Sequence, residues 1–279
     1  MFLIIELIIA YKKSLALNEA TEIDSNGTQY WHKRGLLHRD NDKPAVIIQF
    51  GRQRWYQYGK LHRNGDKPAE INDFGTQRWY QRGKLHRDGD KPAEINEFGI
   101  KKWYQNGKLH RNDDKPAIIY GDGTQIWYKN NKIHRDNDQP AIIDNYGEKW
   151  YKNGKLHRDG DKPAKIDFHG KQMWYQNGKL HRDHDRPAKI NFNGIYWYEK
   201  GKLHRDFDHP AIIKTNGDQC WYQNNKYHRY NDQPAVIDND GTQYWYENGQ
   251  LHREDNRPAI IYNNGFSEWY INGVKKNKI

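Results

Sequence analysis

Ten times along the chain a histidine is followed at once by an arginine, and four residues after the histidine comes an aspartate or, in the last copy, an asparagine. His38-Arg39 stands with Asp42, His62-Arg63 with Asp66, His110-Arg111 with Asp114, and so on to His252-Arg253 with Asn256. An imidazole beside a carboxylate can act as a general base, and regularly placed imidazoles can hold a metal ion. Catalysis, however, needs one asymmetric constellation. Equivalent triplets one repeat apart set neighbouring histidines about 10 Å from each other, too far to share a zinc whose ligands lie about 2 Å away. These residues therefore read as structural, with an Arg-to-Asp pair closing the four-residue loop and His donating to a backbone carbonyl of the next unit. No catalytic residue, metal set or cofactor is expected, and the protein reads as a non-enzyme. His32, His169, His184 and His209 share no spacing and read as surface choices.

The elements that hold these triplets repeat with them. All eleven tryptophans mark the period, at Trp31, Trp55, Trp79, Trp103, Trp127, Trp150, Trp174, Trp197, Trp221, Trp245 and Trp269. The spacing is 24 residues except after Trp127 and Trp174, where it is 23, each deletion falling between a glycine (Gly147, Gly194) and the next Trp. A period of this length is the signature of a stacked array. Inside a unit the apolar runs are short and turn signals dense, which argues for strands. Asn106-Gly107 reads as a two-residue hairpin loop of the primed type, pairing Tyr104 with Leu109 and Trp103 with His110. Pro starts a further extended stretch, where its missing donor does least harm. Ile follows two residues after Ala in every copy (Ile47, Ile71, Ile95, Ile119 and onward), so Ala and Ile are expected inward and the variable residue between them outward. The fold class expected is all-β, an elongated array of stacked antiparallel hairpins forming one twisted sheet or half-pipe. At two strands per unit the body would run on the order of 100 Å.

Composition bounds the core. Only 35% of residues are hydrophobic and 29% are charged, which suits a thin sheet with one aromatic layer better than a thick globule. The lone Cys220 excludes a disulfide framework and reads as an unreactive edge position. Net charge is +10 with acids interleaved throughout, so the field is mild. Residues 1–21 carry an apolar run too short to span a bilayer and interrupted by Glu6, open to reading as a cap for the first repeat, a membrane-surface anchor or a poor signal sequence. The array is placed at 22–273, opening on a half-repeat, with 274–279 a frayed basic tail.

The candidate binding surface is the ladder of tyrosines after Trp: Tyr56, Tyr80, Tyr104, Tyr128, Tyr151, Tyr175, Tyr198, Tyr222 and Tyr246, with Lys84, Lys108, Lys155 and Lys179 after the hairpin glycines. Three readings stand open: packing on the neighbouring Leu, contact with a protein, or stacking of single-stranded nucleic acid with phosphates drawn to lysine. Unpaired strands at the ends of an open sheet add self-association as a further route, while membrane association is not expected.

The stretches GTQRWYQRGKLH (Gly75 to His86) and GEKWYKNGKLH (Gly147 to His157) resemble MORN-type repeats, in the variant where an aromatic pair precedes Asn-Gly-Lys. With HRxxDxPA added, the unit resembles a repeat family of bacteria, phages and giant DNA viruses of amoebae. The resemblance covers Glu22 to Gly273 and implies a β-hairpin array used as a scaffold or binding surface, without an assigned catalytic residue. A protein partner is expected ahead of nucleic acid; the compartment is left open, with an intracellular or virion setting expected ahead of secretion.

Overall fold

The computed structural model describes residues 20–277. The apolar segment before them, with its expected capping role, lies outside the described residues. Apart from one 3-10 turn, Gln49–Gly51, every regular element is a β-strand, nearly all of two or three residues.

Each repeat is built from two hairpins that meet at its tryptophan. In the repeat of Trp103 the tight hairpin pairs Tyr104–Gln105 with Lys108–Leu109, in the register Tyr104↔Leu109 expected from the Asn-Gly loop. Asn106 and Gly107 both adopt left-handed backbone, φ 50 and 81, the requirement of a primed turn. The wider hairpin pairs Ile118–Ile119 with Gln125–Ile126 and joins a continuous sheet. Trp103 sits between sheet and tight hairpin, its N–H donating to the carbonyl of Ala117 at 2.8 Å. Two left-handed residues in succession, such as Asp113 and Asp114, turn the chain between the hairpins.

The chain divides after Asn131 into two compact units. In the first, the strands from Glu22–Ile23 to Gln125–Ile126 pair antiparallel in chain order as a meander. In the second the same meander runs from Ile142–Asp144 to Ser267–Ile271. It closes on a last hairpin in which Val274–Lys276 pairs with the end of Ser267–Ile271, and Lys275 reaches Glu268 at 2.8 Å. The stretch expected as a frayed tail from 274 is therefore ordered strand through Lys276.

The one-residue deletions shorten the wide hairpins at Gly147 and Gly194, where strands of three residues replace the usual two. Both glycines press against the neighbouring strand. A Cβ on Gly147 would lie 2.1 Å from the Ile166 carbonyl oxygen.

The core is a single layer. Ten tryptophans are buried, and the alanine after each proline is fully so. The expected alternation fails beside them. Seven of the ten variable residues between Ala and Ile, namely Val46, Glu70, Glu94, Ile118, Ile212, Val236 and Ile260, are buried and Ile142, Lys165 and Lys189 half-buried, whereas Ile47, Ile71, Ile95 and Ile119 are only half-buried. Ala occupies a bend where the chain leaves the tryptophan, and the strand starts one residue later, so a period of two cannot be counted through it.

Candidate functional site

The His, Arg and Asp of each motif serve the joint between repeats, with partners other than those the spacing suggested. Arg63 crosses to Asp42 of the preceding repeat, Nε donating to Oδ1 at 2.7 Å and Nη2 to Oδ2 at 3.0 Å. The Arg-to-Asp pair thus joins two repeats and does not close one loop. A four-residue spacing recurring every 24 residues leaves both partners within an arginine's reach in sequence terms, and the backbone favours the earlier one. Lys67 adds a contact to Asp42 Oδ2 at 2.7 Å. With Arg63 hydrogen-bonded to it, Asp42 is held down at about 2, and Asp66 and Asp90 are lowered by Arg87 and Arg111 in the same way. The Arg63 guanidinium also lies 3.8 Å over the Trp55 ring and donates to the Pro68 carbonyl, while Trp55 Nε1–H donates to the Asp42 carbonyl at 3.0 Å. The fork to aspartate recurs in Arg87, Arg111, Arg158, Arg182, Arg205, Arg229 and Arg253.

Histidine is spent in the same joint. Nδ1 of His86 accepts the backbone N–H of Asn106 in the next tight hairpin at 3.2 Å, and Nε2 meets Asp88 Oδ1 at 3.0 Å. An imidazole that accepts at Nδ1 carries its proton on Nε2, so it donates to the aspartate. His86 therefore accepts from the next unit and does not donate to its carbonyl, and both its nitrogens are engaged. His157, His181 and His252 are clipped alike. At His110 and His204 Nδ1 has no such partner among the described residues, because the following loops are Asn-Asn and the second Asn instead accepts from Leu109 or Leu203, each at 2.7 Å.

Glu247, His252 and Glu254 are the one described group with ligand atoms close enough to hold a metal ion. His252 Nε2 lies 3.3 Å from Glu247 and 2.8 Å from Glu254, but the Asn272 amide on Nδ1 fixes the proton at Nε2, the atom a metal would need. The donor set does not fit a metal.

The tyrosine ladder and the lysines part company. In the hairpin register Tyr80 pairs with Leu85 and Gln81 with Lys84, so period-two alternation sets the aromatic and the ammonium on opposite faces. Tyr56, Tyr80, Tyr104, Tyr128, Tyr151, Tyr175, Tyr198, Tyr222 and Tyr246 are half-buried, while Lys84, Lys108, Lys155 and Lys179 stand exposed on the other side. Tyr222 and Tyr246 pack on a cluster of Ile212, Cys220 and Val236. Burial raises the hydroxyls of Tyr104, Tyr175 and Tyr198, and pushes Tyr80, with Glu70 adding to it, up to about 12. Cys220 belongs to this core and not to an edge: it is 3% exposed and its thiol is pushed by burial up to about 11.

The face under the tyrosines is where repeats differ. In the first unit it carries alternating charge: Glu70 lies between Arg54 and Arg78 at 2.9 and 3.4 Å, and Glu94 between Arg78 and Lys102 at 2.8 and 2.7 Å. Both carboxylates are buried and lie directly opposite their cations in the strand register. In the second unit the corresponding positions run Lys149, Lys165, Met173, Lys189, Tyr196 and then the apolar cluster.

Sequence reasoning missed the tips of the wide hairpins. Phe50, Phe74 and Phe98 in the first unit are between 72% and 88% exposed, and Tyr146, Phe168 and Phe192 in the second between 65% and 80%. Successive tips touch: the Phe168 N–H donates to the Tyr146 carbonyl at 3.3 Å. The signal was present as an aromatic one or two residues before a turn glycine, hidden by the louder Trp-Tyr pair. No protein-family model matches the chain, and no curated protein does so either.

Proposed function

We propose that this protein is a non-enzymatic, MORN-like scaffold that binds another protein. The observation that carries the reading is the division of labour within the repeat. Trp, His, Arg, Asp and the buried Ala, the residues that recur in nearly every copy, are occupied in joining one repeat to the next. Outward stand, besides the hairpin lysines, three aromatic tips in each unit, Phe50, Phe74 and Phe98 and then Tyr146, Phe168 and Phe192. Aromatic side chains in contiguous exposed rows are what protein interfaces use as anchors. Repetition then supplies reach, since many weak equivalent contacts add along a surface. The resemblance of the tight hairpins to MORN-type repeats supports the same reading.

The test is a pull-down with full-length protein from lysate split into nuclease-treated and untreated halves, run beside the Phe74→Ser/Phe98→Ser variant. A partner retained after nuclease and lost with the tip variant is expected. A partner lost with nuclease, or retained undiminished by the variant, overturns the proposal.

A further inference from the structure

The first unit states a local rule that the second breaks. Across neighbouring strands it twice sets a cation, a carboxylate and a cation side by side, Arg54–Glu70–Arg78 and Arg78–Glu94–Lys102, and each carboxylate is buried between its two partners. In the second unit Lys165 and Lys189 flank Met173 in the same way, each directly opposite it in the register. The two cations are present and the carboxylate is missing.

Nothing nearby replaces it. Lys149, on the far side of Lys165, is itself a cation and is paired with Asp144. Lys189 has only the Tyr196 ring, 4.1 Å from its ammonium, and burial together with Lys171 lowers its proton affinity. By alternation Asp167 and Lys171 share this face. Asp167 Oδ1 accepts the N–H groups of His169 and Lys171, and among the described residues no ion pair within 4 Å joins Asp167 to a lysine. Half-buried, unneutralised ammonium groups destabilise a fold unless something compensates them.

We infer that Lys165 and Lys189 hold a carboxylate supplied from outside, an acidic side chain of a protein partner, above Met173. A lysine side chain is one bond longer than methionine, so either lysine is long enough to carry its ammonium past the thioether, Lys189 by turning from the Tyr196 ring, which lies on the strand away from Met173. Pairing there is charge-assisted, over a buried methionine. Strands two apart are separated by about 10 Å, so one carboxylate centred over the middle strand is within reach of both lysines. The inference rests on the partner being a protein, and it names the chemistry that the partner must bring.

The experiment uses full-length protein and a fluorescein-labelled decaglutamate peptide, read by anisotropy. Binding is expected to weaken by at least about tenfold in the Lys165→Gln/Lys189→Gln variant and by a similar factor when salt is raised several-fold. Met173→Glu supplies the missing carboxylate in place. It should abolish peptide binding to the same extent while melting no lower than the wild type, which keeps the test decisive if the double variant folds poorly. Lys60→Gln/Lys132→Gln removes the same charge from exposed lysines elsewhere and should bind as the wild type does. No binding by the wild type, equal loss in the Lys60/Lys132 control, or undiminished binding by Met173→Glu overturns the inference. Oligothymidylate bound more tightly than the peptide would instead sink the protein-partner reading on which it stands.

Discussion

Replacing Arg111 with alanine tests the joint. The substitution removes a fork to Asp90, Nε at 2.7 Å and Nη2 at 3.1 Å, a guanidinium 3.8 Å over the Trp103 ring, and a bond to the Pro116 carbonyl at 3.2 Å. Hydrogen bonds to charged groups contribute about 1.5–3 kcal/mol. The Asp90 side chain is 39% exposed and keeps Lys115 at 2.8 Å, so solvent and the remaining cation place the fork at the lower bound, about 1.5 kcal/mol. A partly desolvated cation–π contact adds about 1 kcal/mol, and the carbonyl bond about 0.5. The expected loss is about 3 kcal/mol, confined to one nearest-neighbour term of the array. Urea unfolding of Arg111→Ala, Asp90→Ala and the double variant measures it, with a coupling energy of about 1.5 kcal/mol expected. Arg111→Lys keeps the charge without the fork and should recover less than half of the loss. A loss under about 1 kcal/mol, or a coupling below about 0.3, refutes the view that this pair holds adjacent repeats together.

Two further expectations follow from other features. Asp42 and Asp138 are held at about 2 by Arg63 and Arg158, below the ordinary carboxylate value of about 3.9. Between those values the unfolded chain binds more protons, so the joints stabilise the fold fully above about pH 4–5 and lose that contribution as pH falls through about 2. Thermal melts from pH 6 downward should show the midpoint falling below about pH 4, and a flat midpoint to pH 2 would contradict this. Gly147→Ala sets its Cβ 2.1 Å from the Ile166 oxygen and 2.6 Å from the Asp167 Cα, backbone atoms that cannot swing aside. It should cost at least about 3 kcal/mol, against about 1 for Gly170→Ala, whose Cβ meets nothing within 4 Å. Equal melting temperatures for the two variants would show that the strands give way.

The period, the hairpin loops and their register could be read from the chain because they are local. Asn106-Gly107 can satisfy two left-handed residues in only a few ways, and Tyr104↔Leu109 follows at once. What depended on the neighbouring repeat could not be read this way. In a perfect repeat the Asp ahead of Arg63 and the Asp after it look alike, and only the folded backbone shows that the guanidinium reaches back to Asp42. The interior position of Glu70 and Cys220 was hidden for a related reason. The bend at alanine resets the strand phase, and a charged residue is placed inward only when cations in adjacent strands meet it, as Arg54 and Arg78 do. The candidate surface joined Tyr80 to Lys84 on chemistry alone, and the hairpin that places them on opposite faces is itself written in Arg82-Gly83.

Around the tight hairpins most bonds across a joint run one way, the Asn-Asn loops excepted, where Leu109 and Leu203 donate forward to Asn131 and Asn225. On the sheet Arg54 and Arg78 also donate forward, to Glu70 and Glu94. Arg63, Lys67 and the Trp55 indole give their hydrogens to residues of the repeat before them, as does the hairpin amide of Gly59 to Leu37. The amide of Tyr58 likewise bonds back to His38. Each folded repeat thus presents a row of waiting acceptors, and the donors that fill it come from sequence further along. Polypeptides emerge from the ribosome amino terminus first. A nascent repeat meets a template already complete on its upstream side, and none of these donor contacts requires residues not yet made. The backward-running set is thus compatible with repeats seated in the order of translation, while the forward bonds to Glu70, Glu94, Asn131 and Asn225 close only when the next repeat arrives.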